Sequence, residues 1–246
     1  MSSNDAAVAL VTGGSRGIGA ATALRLAQDG ADVALTYAHG AEAAAGVVAG
    51  IEALGRRALS VRADVGDPAQ AVAAVEETVR GLGRIDALVN NAGIGVLGPL
   101  DALTPADVDR VLAVNVRGVF LTTRAAAARM GSGGRIVTIG SCMTARVPGP
   151  GGTLYAMSKA ALTGLTKALA RELGERGITA NLVHPGPVDT DMNPADGPHA
   201  AAQSALTALG RFGTAQEVAG LVSFLTGPDA AYVTGAEFAV DGGHAA

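Results

Sequence analysis

A regular alternation of short β-like runs with longer helical patterns constrains the fold of this chain more than any other feature. The β-like runs lie at residues 8–12, 33–37, 58–63, 87–90, 135–140, 179–184 and 236–240. The helical patterns lie at residues 17–29, 41–54, 68–82, 105–130, 155–175 and 215–225. Because strands joined by helical crossovers pair in parallel, this order predicts an α/β fold with a seven-stranded, doubly wound parallel sheet flanked by helices. Asp67 before Pro68 and Thr104 before Pro105 mark two helix starts, each a capping residue followed by proline.

Nothing in the chain marks a boundary between domains. Its 246 residues contain no repeat, charge block or linker, so we expect a single domain over residues 1–246. Two segments rich in Pro and Gly, at about 143–153 and 187–212, follow predicted strands. Since open α/β sheets bind ligands beyond the carboxyl ends of their strands, these segments are the predicted substrate loops. Any one residue in them is equally consistent with a plain surface connection.

Charge and cysteine content exclude several classes of protein. The net charge is −4 and the basic residues are scattered, which argues against a nucleic-acid surface. Cys142 is the only cysteine, so the chain forms no intrachain disulfide and no multi-cysteine zinc site, and we predict no metal. The apolar runs are too short for a membrane span or a signal peptide. We therefore expect a soluble, cytoplasmic protein with no membrane partner.

The first β-like run leads into a glycine-rich loop. Gly13, Gly17 and Gly19 stand between this apolar run and the start of a helical pattern. Residues without side chains let the backbone turn tightly and approach a pyrophosphate at the positive end of the helix. The loop therefore predicts a dinucleotide site, although a purely structural turn has the same composition.

Tyr155 and Lys159 form a second candidate site. Their spacing of four residues places the phenol and the ammonium on one face of a predicted helix. A nearby cation favours phenolate, so the pair predicts an acid/base group that operates near neutral pH. The same spacing is common on solvated helix faces, so only the other motifs support a catalytic role for this pair.

Those motifs, in their order along the chain, resemble the short-chain dehydrogenase/reductase family, whose members have a Rossmann fold. The loop from Thr12 to Gly19 has the T-G-x-x-x-G-x-G form of that family. The other matching elements are Asp64-Val65, Asn90-Asn91-Ala92-Gly93, Asn115, Ser141, Tyr155 with Lys159, and the segment from Pro185 to Thr190. Together they cover nearly the whole chain.

The resemblance implies that the catalytic residues are Asn115, Ser141, Tyr155 and Lys159. Ser141 would hold the oxygen of a substrate carbonyl beside Tyr155, which supplies the proton as NADPH delivers hydride. Lys159 would stabilise Tyr155 and bind the nicotinamide ribose, and Asn115 would hold a water that connects Lys159 to solvent. The expected activity is the reduction of a ketone to a secondary alcohol.

The resemblance also implies the cofactor contacts. They are Gly13, Ser15, Arg16, Gly17, Ile18, Gly19, Tyr37, His39, Asp64, Val65, Asn91, Ala92, Gly93, Tyr155, Lys159, Pro185, Gly186, Val188 and Thr190. Asp64 would bind the adenine amino group. The second strand ends at Tyr37 without a carboxylate that would repel a 2′-phosphate, and Arg16 offers a charge to that phosphate. We therefore predict NADP(H) over NAD(H), while His39 either assists or is a solvated loop residue.

The sequence indicates the identity of the substrate less clearly than that of the cofactor. The chain resembles 3-oxoacyl-[acyl-carrier-protein] reductases, but a cyclic ketone or a polyketide suits an apolar pocket equally well. The candidate lining residues are Val96, Met143, Val147, Leu154, Met192 and Phe212. Arg124, Arg129 and Arg135 are either a dock for a carrier protein or solvated charges. Cys142 is interpreted as a small core or pocket residue, and His184 as a pocket-shaping or, by preference, a structural histidine with satisfied hydrogen bonds.

A second function and a quaternary structure also follow from resemblance. Residues 91–98 and 189–198 resemble a subgroup described as cyclic-di-GMP-binding biofilm dispersal mediators, which implies a nucleotide-binding regulator as the alternative. Members of the family pair the helices that begin near Pro105 and Tyr155, so we expect a homodimer or homotetramer. The small residues Ala160, Ala161, Gly164 and Ala168 suit such packing, or packing against the chain's own sheet.

Overall fold

A computed structural model describes residues 6–246. Residues 1–5, which begin the predicted domain and precede its first apolar run, lie outside the described residues. The strands are β1 (Val8–Val11), β2 (Asp32–Tyr37), β3 (Ala58–Arg62), β4 (Ala87–Asn90), β5 (Arg135–Ile139), β6 (Thr179–Pro185) and β7 (Glu237–Val240). They form one seven-stranded sheet in the order β3-β2-β1-β4-β5-β6-β7, and every pairing is parallel. The predicted doubly wound Rossmann-like fold is confirmed.

Helices cover both faces of this sheet. They are α1 (Gly17–Gln28), α2 (Ala41–Ala53), α3 (Pro68–Leu82), α4 (Pro105–Leu112), α5 (Val119–Arg129), α6 (Thr153–Leu173), α7 (Ala200–Ala205) and α8 (Ala215–Thr226). On one face α1, α2 and α8 pack against the strands, and on the other α3, α5 and α6 do so. The strands β1 and β4 are buried along their whole length, because helices cover them on both sides.

The two predicted helix starts have the expected caps. The side chain of Asp67 accepts hydrogen bonds from the backbone amides of Ala69 and Gln70 at the start of α3. Thr104 and Asp107 form a reciprocal capping box at the start of α4. These bonds satisfy amide groups that have no partner within the helix.

The prediction of one continuous helix over residues 105–130 is wrong. A π-helical segment, Ala113–Gly118, separates α4 from α5. It contains Asn115, whose side chain binds the backbone of Ile94 instead of facing solvent. At Gly118 a Cβ atom would lie 2.4 Å from the main-chain oxygen of Val65, so only glycine permits this close approach.

Taken together, α4, the π-helical segment and α5 form a span long and apolar enough to cross a bilayer. The span Pro105–Arg129 has 25 residues and a window of mean hydropathy 1.2, and half of that window is buried inside the protein. Its contacts with α3 and α6 are those of a core helix. Charged residues interrupt this span, so it is not the uninterrupted apolar segment that a membrane crossing was expected to need, and a buried core helix passes the same test of length and composition.

Two further boundaries differ from the predictions. Helix α6 begins at Thr153 and ends at Leu173, so it takes in the last residue of the predicted loop 143–153. The predicted loop 187–212 contains the six-residue helix α7. The Pro and Gly content of that segment conceals this helix, because it is too short to show a periodic apolar pattern.

Candidate active site

The predicted site residues meet at the carboxyl edge of the sheet. The chain reverses its strand order between β1 and β4, and a crevice at such a switch point is the usual ligand site of open α/β sheets. The glycine loop follows β1, residues 37–39 end β2, residues 64–65 follow β3, residues 91–93 follow β4, Ser141 follows β5 and residues 185–190 follow β6. One edge thus carries every predicted segment except Asn115, Tyr155 and Lys159, which helical segments bring to the same place.

The glycine loop has the shape that a pyrophosphate requires. Gly13 and Gly17 have φ angles of +64° and +53°, a region that side chains disfavour. A Cβ atom at Gly19 would lie 2.3 Å from the main-chain oxygen of Gly13 and 2.5 Å from Nδ2 of Asn91. Ser15 and Ile18 are half-buried beside these glycines. The loop therefore fits a dinucleotide at the start of α1.

Thr12 connects this loop to the end of β4. Its hydroxyl accepts hydrogen bonds from the backbone amides of Asn91 and Ala92, each at 3.0 Å. In return, Nδ2 of Asn91 donates to the main-chain oxygens of Thr12 at 2.9 Å and Gly13 at 3.0 Å. The sequence motif includes Thr12, but only these contacts reveal that it holds the two strands in register at the switch point.

The segment after β6 closes the other side of the crevice. A Cβ atom at Gly17 would lie 3.3 Å from the methyl carbon of Thr190. Val188 is buried. Gly186 packs so closely on Asp241 that a Cβ atom would lie 2.6 Å from its Cα atom. The segment that begins at Pro185 therefore lies within van der Waals reach of the glycine loop.

At the end of β2 the charge pattern suits an additional phosphate. Arg16 is exposed, and its side chain has no hydrogen bond or ion pair within residues 6–246. Tyr37 is half-buried as the last residue of β2, and His39 is exposed. With no carboxylate at this strand end, the Arg16 guanidinium is free to bind an anion.

Asp64 has a partner that the sequence interpretation missed. Nη1 of Arg110, on α4, lies 2.9 Å from Oδ2 of Asp64, and the backbone amide of Gly66 donates to Oδ1 at 2.9 Å. Burial raises the pKa of this carboxyl, but the Arg110 and Gly66 hydrogen bonds outweigh it and hold the pKa below its usual value. An adenine amino group at Asp64 would share the carboxylate with Arg110. The neighbouring Val65 is buried.

Ser141 and Tyr155 bring two hydroxyl groups together. Ser141 is buried, and its Oγ accepts a hydrogen bond from the backbone amide of Met143 at 3.2 Å. Burial raises the pKa of the Tyr155 phenol, and the nearby Ser141 side chain lowers it by less. The pKa of Tyr155 is thus raised on balance in the protein without ligand, with Nζ of Lys159 5.9 Å from the centre of the ring.

Lys159 is itself a desolvated cation. It is 4% exposed, and its Nζ donates a hydrogen bond to the main-chain oxygen of Ile139 at 2.9 Å. Burial lowers the pKa of its ammonium from 10.5 to about 8. Its charge is therefore present at neutral pH and lost just above it.

Asn115 is fully buried in the π-helical segment. Its Oδ1 accepts from the backbone amide of Ile94 at 2.9 Å, and its Nδ2 donates to the Ile94 oxygen at 2.9 Å and to Oγ of Ser158 at 3.0 Å. A Cβ atom at Gly93 would lie 3.3 Å from Nζ of Lys159 and 3.4 Å from Oδ1 of Asn115. Both polar groups therefore lie close to the open side of Gly93.

The predicted pocket residues do not all share one surface. Leu154 and Phe212 are buried at 3% and 8% exposure, whereas Val147 and Met192 are exposed at 49% and 66%. Val96 and Met143 are half-buried. Buried side chains pack in the core, so the exposed ones in the two loops are better placed to meet a ligand.

Of the basic residues considered for a carrier-protein dock, two lie at the wrong edge. Arg135 begins β5 and therefore marks the amino edge of the sheet. Arg129 ends α5, which runs back to that edge, and pairs with Glu76 at 2.6 Å. Only Arg124, exposed on α5, keeps the role of a candidate.

Two remaining predictions concern Cys142 and His184. Cys142 is buried, and burial with the nearby charge of Asp241 raises the pKa of its thiol to about 11, so it is an inert packing residue. His184 is buried and has partners at both ring nitrogens, as a satisfied structural histidine should. Residues 6–246 contain no group of three or more His, Cys, Asp or Glu side chains placed to hold a metal ion.

A parallel sheet with a glycine loop at its switch point, and a Ser, Tyr and Lys beside it, defines a dinucleotide-dependent oxidoreductase. Comparison with known proteins supports this assignment. A family profile described as enoyl-(acyl carrier protein) reductase matches residues 13–245. The cyclic-di-GMP-binding biofilm dispersal mediator protein of Escherichia coli (strain K12) is 45% identical over 95% of this chain and 94% of its own. A 3-oxoacyl-[acyl-carrier-protein] reductase of Synechocystis is 43% identical over 99% and 98%. The chain belongs to the short-chain dehydrogenase/reductase family.

Solved structures identify the cofactor. A blue fluorescent protein from a metagenomic library, in complex with NADPH, is 55% identical with a TM-score of 0.96 over 98% of both chains. A short chain dehydrogenase from Burkholderia cenocepacia J2315, in complex with NADP, is 57% identical with a TM-score of 0.96 over 97% of both chains. The protein is an NADP(H)-dependent oxidoreductase, as the Arg16 and Tyr37 positions predicted.

Proposed function

We propose that this oxidoreductase reduces a ketone to a secondary alcohol, with Tyr155 as the proton donor. The observation that carries the proposal is the meeting of the Ser141 hydroxyl, the Tyr155 phenol and the Lys159 ammonium at the cofactor crevice. The raised pKa of Tyr155 keeps the phenol protonated before reaction, which suits a proton donor.

Each of the four residues has a separate task in this proposal. Bound NADPH supplies the hydride for the carbonyl carbon. Ser141 donates to the carbonyl oxygen and holds it beside the Tyr155 hydroxyl, which transfers its proton as negative charge develops on that oxygen. Lys159 stabilises the resulting phenolate and binds the nicotinamide ribose. Asn115 holds a water beside Lys159, and the approach of both side chains to the same side of Gly93 supports a path between them.

The cofactor contacts are part of the same proposal. The glycine loop and Gly93 leave the backbone open to the pyrophosphate, Arg16 binds the 2′-phosphate, and Asp64 accepts from the adenine amino group. The segment from Pro185 to Thr190 covers the nicotinamide end. Support comes from the convergence of these segments at one crevice and from the free guanidinium of Arg16.

For the substrate, we propose a 3-oxoacyl thioester, a cyclic ketone or a polyketide. The exposed Val147 and Met192 in the two loops support an apolar substrate, and methionine adapts to different shapes. Relatives named 3-oxoacyl-[acyl-carrier-protein] reductase and versicolorin reductase 1 support the thioester and polyketide classes respectively.

The test follows the loss of NADPH absorbance with purified protein and three ketones: acetoacetyl-coenzyme A, cyclohexanone and 1-tetralone. Turnover by the wild type and none by Tyr155→Phe supports the proposal and selects the substrate class. Equal turnover by the two proteins would exclude Tyr155 as the proton donor.

A nucleotide-binding regulator is the second candidate, because the Escherichia coli relative at 45% identity is named for binding cyclic-di-GMP. An intact Ser141, Tyr155 and Lys159 set favours the reductase, since a binding protein has no need of a proton donor. Calorimetric titration with cyclic-di-GMP at saturating NADPH separates the two. Binding under those conditions favours the regulator, and loss of binding favours competition for the cofactor crevice.

We also propose that the protein forms a homodimer or homotetramer in the cytoplasm through α4, α5 and α6. The small residues Ala160, Ala161, Gly164 and Ala168 are exposed rather than packed on the chain's own sheet. Phe120 and Met157 are each 49% exposed on the same group of helices. Light scattering at micromolar protein tests this, and a monomer at that concentration would rule it out.

A further inference from the structure

His184 of β6 contacts the backbone of Ser141. Its Nδ1 atom lies 3.1 Å from the Ser141 amide nitrogen and 2.9 Å from the Ser141 oxygen. The ring approaches so closely that a Cβ atom at Gly140 would lie 2.5 Å from Nδ1. The residue directly before Ser141 is thus a glycine that makes room for this imidazole.

The other ring nitrogen reaches the edge strand. Nε2 of His184 lies 3.0 Å from Oε2 of Glu237 on β7. Burial raises the pKa of the Glu237 carboxyl, but hydrogen bonds from Thr163, His184 and Lys167 outweigh it and hold the pKa at about 2. Glu237 is therefore a carboxylate at all ordinary pH values, and a carboxylate requires a proton on Nε2 of His184.

Glu237 in turn binds α6. Oγ1 of Thr163 donates to Oε2 at 2.7 Å, and Nζ of Lys167 lies 3.0 Å from Oε1. Tyr155, Lys159, Thr163 and Lys167 follow one another at intervals of four residues, so they form one stripe along α6. Tyr155 and Lys159 face the reaction site, whereas Thr163 and Lys167 bind Glu237.

These contacts form a continuous connection from Ser141 through His184 and Glu237 back to the helix that carries Tyr155. With a proton on Nε2, the neutral ring accepts from the Ser141 amide through Nδ1, and the charged ring donates to the Ser141 oxygen. In both protonation states Ser141 stays attached. Nothing in the reduction of a ketone requires His184 or Glu237 to touch the substrate.

We propose that His184 and Glu237 are positioning residues, which fix the Ser141 hydroxyl relative to the Tyr155 phenol by attaching the Ser141 backbone to α6. The inference rests on the proposed function, because it acts through Ser141. Small displacements of reacting groups have large effects on rate, so release of Ser141 lowers kcat and leaves NADPH binding unchanged.

Kinetics of substitutions at His184 test this with the most active ketone of the panel above. His184→Leu removes both contacts, and we expect kcat to fall on the order of 10- to 100-fold with the Kd for NADPH unchanged. His184→Asn retains an amide oxygen near the Nδ1 position but has no atom at the Nε2 position, so it keeps the contact with Ser141 without the connection to Glu237 and should show most of the same loss. An unchanged kcat in His184→Leu, or wild-type kcat in His184→Asn, would overturn the proposal.

Two controls separate positioning from general damage. Asn181, on the same strand, binds the backbone of Val233 and Ala236 on the β7 side without touching Ser141, so Asn181→Ala should destabilise the fold and leave kcat unchanged. Thr163→Val removes only the hydroxyl that holds Glu237, at a half-buried helix position that tolerates substitution. A decrease in kcat for Thr163→Val is expected even if His184→Leu fails to fold, and its absence counts against the connection.

A double-mutant cycle distinguishes failure of this inference from failure of the proposed function. If His184 acts through the Ser141 hydroxyl, His184→Leu lowers kcat no further in a Ser141→Ala background. Full activity of Ser141→Ala would instead reject the proposed role of Ser141. Heteronuclear NMR of the histidine nitrogens tests the connection without turnover: a proton on Nε2 of His184 is expected, and its absence contradicts the bond to Glu237.

Discussion

Nζ of Lys159 donates a hydrogen bond to the main-chain oxygen of Ile139 at 2.9 Å. Ile139 is the last residue of β5, two positions before Ser141. The bond therefore attaches the middle of α6 to the strand that leads into the serine. It is also the only polar partner of a 4% exposed ammonium among the described residues, so solvation of this cation is poor.

Replacement of this lysine should stabilise the cofactor-free protein. Burial lowers the pKa of Lys159 from 10.5 to about 8, which corresponds to roughly 3 kcal/mol of unfavourable free energy. Lys159→Met removes that cost and loses one hydrogen bond worth about 1 kcal/mol. We expect a net gain of about 2 kcal/mol at neutral pH, measured by thermal unfolding followed by circular dichroism.

The same gain should depend on pH in a defined direction. Below about pH 8 the lysine is charged in the folded and unfolded states, so the cost is fully present. Between about 8 and 10.5 the folded state releases its proton first, and the wild type gains stability as the pH rises. The difference between Lys159→Met and wild type therefore shrinks over this window. A difference that is constant with pH would contradict the burial of a charged amine.

Tyr155→Phe should abolish nearly all turnover. A positioned acid contributes about 10²- to 10⁴-fold in rate, and phenylalanine keeps the ring without the proton. The affinity for NADPH, measured by fluorescence titration, should largely survive. Tyr232→Phe is the matched control, because Tyr232 is fully exposed and should keep wild-type turnover.

Arg16→Ala should weaken NADPH selectively. A charge-assisted hydrogen bond is worth about 1.5–3 kcal/mol, so the Kd for NADPH should rise about 10- to 100-fold. The Kd for NADH should change little, since NADH has no 2′-phosphate. Arg124→Ala, at an exposed position of α5, controls for the lost charge. Equal weakening of both cofactors would argue that Arg16 supports the loop rather than the phosphate.

Gly19→Ala should damage the cofactor loop. Its Cβ atom would lie 2.3 Å from the main-chain oxygen of Gly13, so the loop must move, at a cost of about 1–3 kcal/mol in stability. NADPH binding should be lost with it. Gly46→Ala is the control, because Gly46 is exposed in α2 with nothing within 4 Å of its Cβ position and should gain about 1 kcal/mol. Retained NADPH affinity in Gly19→Ala would count against the loop as the pyrophosphate site.

Local patterns predicted most of the fold. The predicted bounds 68–82 and 87–90 coincide with α3 and β4, because a cap with proline and a short apolar run are signals contained within a few residues. The π-helical segment Ala113–Gly118 was missed, since it depends on the bond between Asn115 and Ile94, 21 positions apart. The apolar periodicity of a helix carries no information about a side-chain contact with a distant segment of the chain.

The sequence by itself determined the order of strands and helices, the positions of the glycine loop and of Tyr155 with Lys159, and the absence of an acid at the end of β2. Only the tertiary structure decided the electrostatics and the partners. Burial raises the pKa of Tyr155 and lowers that of Lys159. Arg110 donates a hydrogen bond to Asp64, and His184 connects Ser141 to Glu237. The reason is physical: spacing fixes which residues share an element, whereas desolvation and hydrogen bonding depend on which elements pack against one another.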